Sequence, residues 1–298
     1  MNKAFITKLP ITIENSNIPY FGECVIHAKT KGTHFYMDTE KDVKVWFDKS
    51  TNYMIASTTE TTGTSCIVPA KKRLTVTIPT DGLDIHVAKK YDITSLLIDG
   101  NGILSVKADD VKYMKDLRQL GQLGKGAVEL IGDLSALSGL TQITALCIRN
   151  DSNTLTGDLS ALSGLTKLTN IYINDNSNSL TGDVLAFTDL NNLQECRLYG
   201  VSLIGDLTTL SKSCYFFDTN INSFSWTKGK RVNTTLLSNS SGSAWNLGNY
   251  VDDMLIDQAL NTVRAGNNII KVKGNRTSAS DSALAALQKK GVTVTILN

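Results

Sequence analysis

His27, His34 and His86 are the three histidines of the chain, and an imidazole held between a nucleophile and an orienting carboxylate is a common route to acid–base or acyl-transfer chemistry. No nucleophile signature accompanies them, and Gly-x-Ser-x-Gly is absent, so the sequence reads as a non-enzyme with no catalytic residue. Cys24, Cys66, Cys147, Cys196 and Cys214 are far apart, with no Cys-x-x-Cys pair and no histidine at ligand spacing. That pattern predicts buried free thiols and neither a zinc site nor a disulfide framework. Gly121-x-x-Gly124-x-Gly126, with Lys125, departs from the phosphate-cradling pattern and reads as a turn.

A Gly-Asp pair recurs in Leu130-Ile131-Gly132-Asp133-Leu134, Leu155-Thr156-Gly157-Asp158-Leu159, Leu180-Thr181-Gly182-Asp183-Val184 and Leu203-Ile204-Gly205-Asp206-Leu207. Successive glycines stand 25, 25 and 23 residues apart, a coil-sized period. Two chemistries compete for the aspartates. Stacked carboxylates, helped by Asn150-Asp151-Ser152-Asn153 and Asn174-Asp175-Asn176-Ser177-Asn178, could form a row of weak calcium sites. Alternatively each Asp follows a turn glycine and accepts backbone N–H bonds where the next segment begins. Neither asparagine loop has calcium-loop spacing, so the structural role is the expectation, with no metal and no cofactor.

The elements that must position these residues follow from periodicity. Residues 1–90 read as short strands at close spacing, including Lys44-Val45-Trp46-Phe47 and the alternating Arg73-Leu74-Thr75-Val76-Thr77-Ile78, which predicts a small antiparallel β domain. Residues 91–129 read as a transition covering the open end of the repeats. Within residues 130–249 the phrase Leu140-x-x-Ile143-x-x-Leu146-x-Ile148-x-x-Asp151 returns as Leu165-x-x-Leu168-x-x-Ile171-x-Ile173-x-x-Asn176 and as Leu190-x-x-Leu193-x-x-Cys196-x-Leu198-x-x-Val201. Residues 250–298 read as helix, strand, helix, strand, with Ser278 and Asp281 capping the second helix and Gly291 ending it.

The repeated phrase resembles the leucine-rich repeat motif L-x-x-L-x-L-x-x-N, and from about Leu130 to Asn298 the pattern is similar to leucine-rich repeat proteins of Bacteroidetes bacteria and of phages infecting them. The resemblance implies a leucine-rich repeat solenoid with parallel β-strands on its concave face, closed by two helix-strand units, which together with the small β-rich N-terminal domain read above makes the expected fold class α+β. Asn176 fits the motif's asparagine, Asp151 approximates it and Val201 departs from it. Side chains flanking the buried positions must point away from the core. These are Ala145, Cys147 and Arg149, then Asn170, Tyr172 and Asn174, then Glu195, Arg197 and Tyr199. Tyrosine and arginine are favoured at interface centres, so Arg149, Asn170, Tyr172, Asn174, Glu195, Arg197 and Tyr199 form the candidate partner-binding surface.

A formal charge of +2, from 30 basic and 28 acidic residues among 298, predicts no nucleic-acid partner. No apolar run is long enough to insert in a membrane, and the start, Met1-Asn2-Lys3-Ala4-Phe5-Ile6, reads as lacking a secretory signal. The expectation is therefore a non-enzymatic structural or adhesion component of a phage virion. Its N-terminal domain would anchor it, and the repeats would contact other virion proteins, a host surface protein or a glycan in a multi-copy assembly. The rival expectation is a bacterial cell-surface adhesin or glycan-binding module.

Overall fold

The structure is a computed structural model, and it describes residues 24–29, 33–56, 59–79, 82–88, 90–100, 102–121, 127–150, 155–230, 236–240 and 242–298. The readings placed on Met1–Ile6, Gly124–Gly126 and Asp151–Asn153 lie outside the described residues.

Alternating burial along the first third builds β1 (Cys24–Ala28), β2 (His34–Thr39), β3 (Val43–Ile55), β4 (Thr61–Val68), β5 (Arg73–Thr77), β6 (Leu83–Val87), β7 (Ile93–Ile98) and β8 (Ile103–Lys107). Phe35 and Met37 on β2, and Leu74 and Val76 on β5, point inward, while their neighbours face out, as a period of two requires. Then come β9 (Gln119–Leu120), β10 (Ala127–Asp133), β11 (Ala145–Asn150), β12 (Leu155–Asp158), β13 (Asn170–Asp175), β14 (Leu180–Asp183), β15 (Glu195–Tyr199), β16 (Ser202–Asp206), β17 (Phe216–Thr219) and β18 (Asn222–Ser225). Here the pairing is parallel and runs in two ladders. One passes through β7, β9, β11, β13, β15 and β17; the other through β8, β10, β12, β14, β16 and β18.

The expected fold class is overturned. Strands account for 46% of the structure against 17% helix, and ten strands close into a barrel with eight more attached. The ring can be followed through the pairings β1–β6–β3–β5–β2–β7–β9–β11–β10–β8 and back to β1. The thirteen-residue β3 pairs with β6 near its start and with β5 at its end, and a single residue pair, Val128 with Ile148, joins β10 to β11. A β domain followed by a separate α+β solenoid therefore does not describe the molecule. The physical reason lies in β7 and β8, which pair antiparallel with β2 and β1 on one side and parallel with β9 and β10 on the other. Helix is scarce: α1 (Ala108–Val111) is one turn, and each Gly-Asp phrase leads into a 3-10 turn of three or four residues. The two terminal helices, α2 (Val251–Gln258) and α3 (Asp281–Lys289), accompany a separate three-stranded parallel sheet of β19 (Trp245–Gly248), β20 (Ile269–Gly274) and β21 (Thr293–Leu297). No described helix is long and apolar enough to cross a membrane.

The repeated aspartates are caps. Asp133, Asp158, Asp183 and Asp206 each accept the backbone N–H two residues on, from Ser135, Ser160, Leu185 and Thr208, at 2.8–2.9 Å. Asp158 also accepts the Thr181 hydroxyl of the next coil at 3.0 Å, and Asp206 accepts that of Thr227. The carboxylate thus fastens its own turn and the neighbouring coil. Gly157 holds φ +121°, and a side chain there would press on Leu134 at 3.2 Å, so the phrase needs glycine at this position. Among the described residues no group of three or more His, Cys, Asp or Glu is placed to hold a metal ion.

The asparagine expectation shifts by one residue. Asp175 is fully buried and accepts the N–H groups of Ser179 and Leu180, both at 2.7 Å, while Asn176 is exposed. Ile173 points inward, so alternation turns residue 175 inward and residue 176 outward. None of the five cysteines forms a disulfide; Cys24, Cys147, Cys196 and Cys214 are buried, and Cys66 is half-buried.

Candidate functional site

The outward side of β5, β2, β7, β9, β11, β13, β15 and β17 is one continuous face. Its rows follow from register: Thr75 beside Tyr36 beside Leu97; Gln119, Ala145, Asn170, Glu195 and Phe216; Cys147, Tyr172, Arg197 and Asp218; Arg149, Asn174 and Tyr199. The structure places the seven candidate residues on β11, β13 and β15 of this face. Tyr172 pairs directly with Arg197, and its ring meets that of Tyr199 edge-on at 6.0 Å.

Contacts hold this patch in shape. The Arg197 guanidinium lies over the Phe216 ring at 4.8 Å and reaches Glu195 at 3.4 Å. Glu195 accepts the Tyr215 hydroxyl at 3.0 Å, and Arg264 stacks on Tyr215 at 3.9 Å. Tyr199 donates to Asp218 at 2.6 Å; burial, then the Asp218 carboxylate, pushes the Tyr199 hydroxyl well above the usual tyrosine range, which keeps it a donor. Asp218 is fully buried, and among the described residues its second oxygen, Oδ1, has no hydrogen-bond partner. Sequence reasoning missed Phe216, Asp218, Tyr215 and Arg264. Continuing the alternation of β15 across a shortened 21-residue step would have found Phe216 and Asp218, whereas Arg264 arrives from beyond α2 with no local signal.

A depression of about 540 Å³ interrupts the face, lined by Tyr36, Arg73, Leu97, Asp99, Gln119, Gly121 and Ala145. Its floor is bare because Gly121 and Ala145 carry almost no side chain. Gly121 holds φ +75°, and a Cβ there would sit 2.4 Å from the Cys147 carbonyl oxygen, so the gap is built into the backbone. On the wall, Asp99 accepts the His34 backbone N–H at 2.6 Å and the Tyr36 hydroxyl at 2.9 Å, with His34 Nδ1 also at 2.9 Å. Burial acts to raise the Asp99 carboxyl, but these bonds outweigh it and hold the group below its usual value, so it is ionised at neutral pH. Arg73 grips Asp38 with two bonds of 2.7 and 2.6 Å and lies 5.7 Å from the centre of the Tyr36 ring. A second groove of about 430 Å³ lies at Asp38, Thr39, Glu40, Lys71, Thr94, Ser95 and Arg118.

The remaining histidines take structural partners: His27 Nδ1 is 2.6 Å from Asp84, and His86 stacks on Trp46 at 5.6 Å with the planes 10° apart. The arrangement is suited to multipoint contact through aromatic, amide and paired charged groups.

No family model matches the chain, and no curated protein matches it. Among solved structures it is similar to PEPR1, a leucine-rich repeat receptor ectodomain, in the crystal structure of PEPR1–AtPEP1, at 15% identity and a TM-score of 0.40. The match covers 69% of this chain and 25% of that one. The likeness is weak and carries no argument about function, and nothing in it bears on a Bacteroidetes or phage origin.

Proposed function

We propose that this protein is a non-enzymatic binding module that meets a partner protein or glycan through the outward sheet face centred on Tyr172, Arg197 and Tyr199. The observation that carries the reading is the pairing of Tyr172 with Arg197 inside a frame of fixed contacts, with Tyr199 anchored on buried Asp218. Side chains already held in place lose little freedom on binding, and tyrosine and arginine supply large contact area per residue. Asn170 and Asn174 flank them with amide donors and acceptors.

The setting we propose is a multi-copy assembly, a phage particle in the first instance and a bacterial surface in the second, because shallow contacts on an open face gain strength from repetition. Native mass measurement of the assembly that contains the protein would give its copy number and its neighbours. For the face itself, the test is Tyr172→Ala combined with Arg197→Ala, assayed against immobilised assembly proteins and a glycan array. Binding should fall about tenfold or more, as expected for loss of central interface residues. Full binding by a variant that unfolds at the same urea concentration as the parent would refute the assignment.

A further inference from the structure

The depression beside Tyr36 differs from the Tyr172–Arg197 patch in one respect: an ionised carboxylate stands at the rim of a cavity whose floor is bare. Asp99 remains one-third exposed although three groups approach it. Arg73, the cation in the lining, is engaged by its two bonds to Asp38, so the carboxylate of Asp99, held on one side by His34 and Tyr36, keeps its exposed part turned to solvent without contact to that arginine. Gln119 adds an exposed amide, and Leu97 with Ala145 adds an apolar strip.

We propose that this cavity seats a cationic side chain, lysine or arginine, projecting from the partner protein. Its methylene stem would lie on Leu97 and Ala145, and its charged head would bond Asp99 and the Gln119 amide oxygen. An amphipathic stem with a charged tip matches a floor of apolar atoms ending at a carboxylate, and charge-assisted bonds are the stronger kind. An anionic group is disfavoured because Asp99 repels it and Arg73 is already engaged. A neutral sugar ring would gain no charge-assisted bond from the exposed part of Asp99. The inference rests on the proposal that this face meets a protein, yet it concerns different residues and can fail separately.

The test is titration of the full chain, labelled with nitrogen-15, with Nα-acetyl-lysinamide, with Nα-acetyl-glutamate and with methyl glucoside, followed by amide shifts. Lysinamide should move Gln119, Gly121 and Ala145, and the other two probes should not. Asp99→Asn should weaken the response about tenfold, the equivalent of 1.4 kcal/mol. Because that change also disturbs His34 and Tyr36, Ala145→Phe gives an independent check: it fills the cavity from an outward-facing position and should abolish the shifts. The double variant at Tyr172 and Arg197 should keep them. Equal shifts with glutamate or glucoside, no shift with lysinamide, or a lysinamide response untouched by Ala145→Phe would each overturn the proposal. Loss of partner binding at Tyr172 and Arg197 without any lysinamide response would leave the broader face standing and remove this cavity from it.

Discussion

Replacing Asp158 by Ala tests whether the repeated aspartates are structural fasteners. The side chain accepts the Ser160 N–H at 2.9 Å and the Thr181 hydroxyl at 3.0 Å. Losing an N-cap costs about 0.5–2 kcal/mol, and the inter-coil bond, exposed to water, adds about 0.5–1 kcal/mol. The expected loss is therefore about 1–3 kcal/mol, read as a lower urea midpoint in circular dichroism at unchanged slope. A double-mutant cycle with Thr181→Ala should return a coupling of about 0.5–1 kcal/mol. The sequence supplies an internal control. Asp183 faces Ile204 in the position where Asp158 faces Thr181, so Ile204→Thr should stabilise the protein by about 0.5 kcal/mol. Acidity gives the sign a second check. Burial acts to raise the Asp158 carboxyl, but its bonds to Ser160 and Thr181 prevail and hold it below its ordinary value. A depressed carboxyl contributes fully above the unfolded value near 3.8 and loses its contribution as pH falls through the lower folded value. Parent and Asp158→Ala should therefore differ at neutral pH and converge in strong acid. A gap that persists unchanged in acid, or a midpoint shift within error at pH 7, would refute the reasoning.

Tyr199→Phe removes the hydrogen bond to Asp218 and leaves both oxygens of a buried carboxylate without a donor, so stability should fall by about 1–3 kcal/mol in thermal or urea unfolding. Thiol labelling at pH 8 should find Cys66 the fastest to react. Burial pushes Cys147 and Cys214 up to about 12 and half-buried Cys66 to about 11, so little thiolate exists at any of them and access decides the order. Mass spectrometry after timed alkylation would read that order directly.

How much was legible in the sequence depends on how local each interaction is. The 25-residue phrase placed Leu146, Ile148, Ile171 and Ile173 in the core, and all four are buried, because alternation along a strand is a property of adjacent residues. The cap role of Asp133, Asp158, Asp183 and Asp206 was legible for the same reason: carboxylate and N–H lie two residues apart. The pairing of Tyr172 with Arg197 followed from the regular period, which converts a 25-residue separation into a neighbouring strand. The asparagine position was misplaced by one residue, since the motif was matched by letters while the burial of Asp175 is set by which way the strand end faces.

The barrel closure and the depression were beyond the sequence. Tyr36, Arg73, Leu97, Gln119 and Ala145 come from five strands, and they share a cavity only because β7 pairs antiparallel with β2 and parallel with β9. Nothing in the composition of Ile93–Ile98 states that it has two partners of opposite sense, one of them more than fifty residues earlier. By itself, then, the sequence determined the 25-residue period, its inward residues and its caps, which are local or periodic. The tertiary structure alone decided the α-poor class, the ring of ten strands and the carboxylate-walled gap in the outer face. Each of these depends on register between distant strands, and that register is chosen by the packing of the whole core.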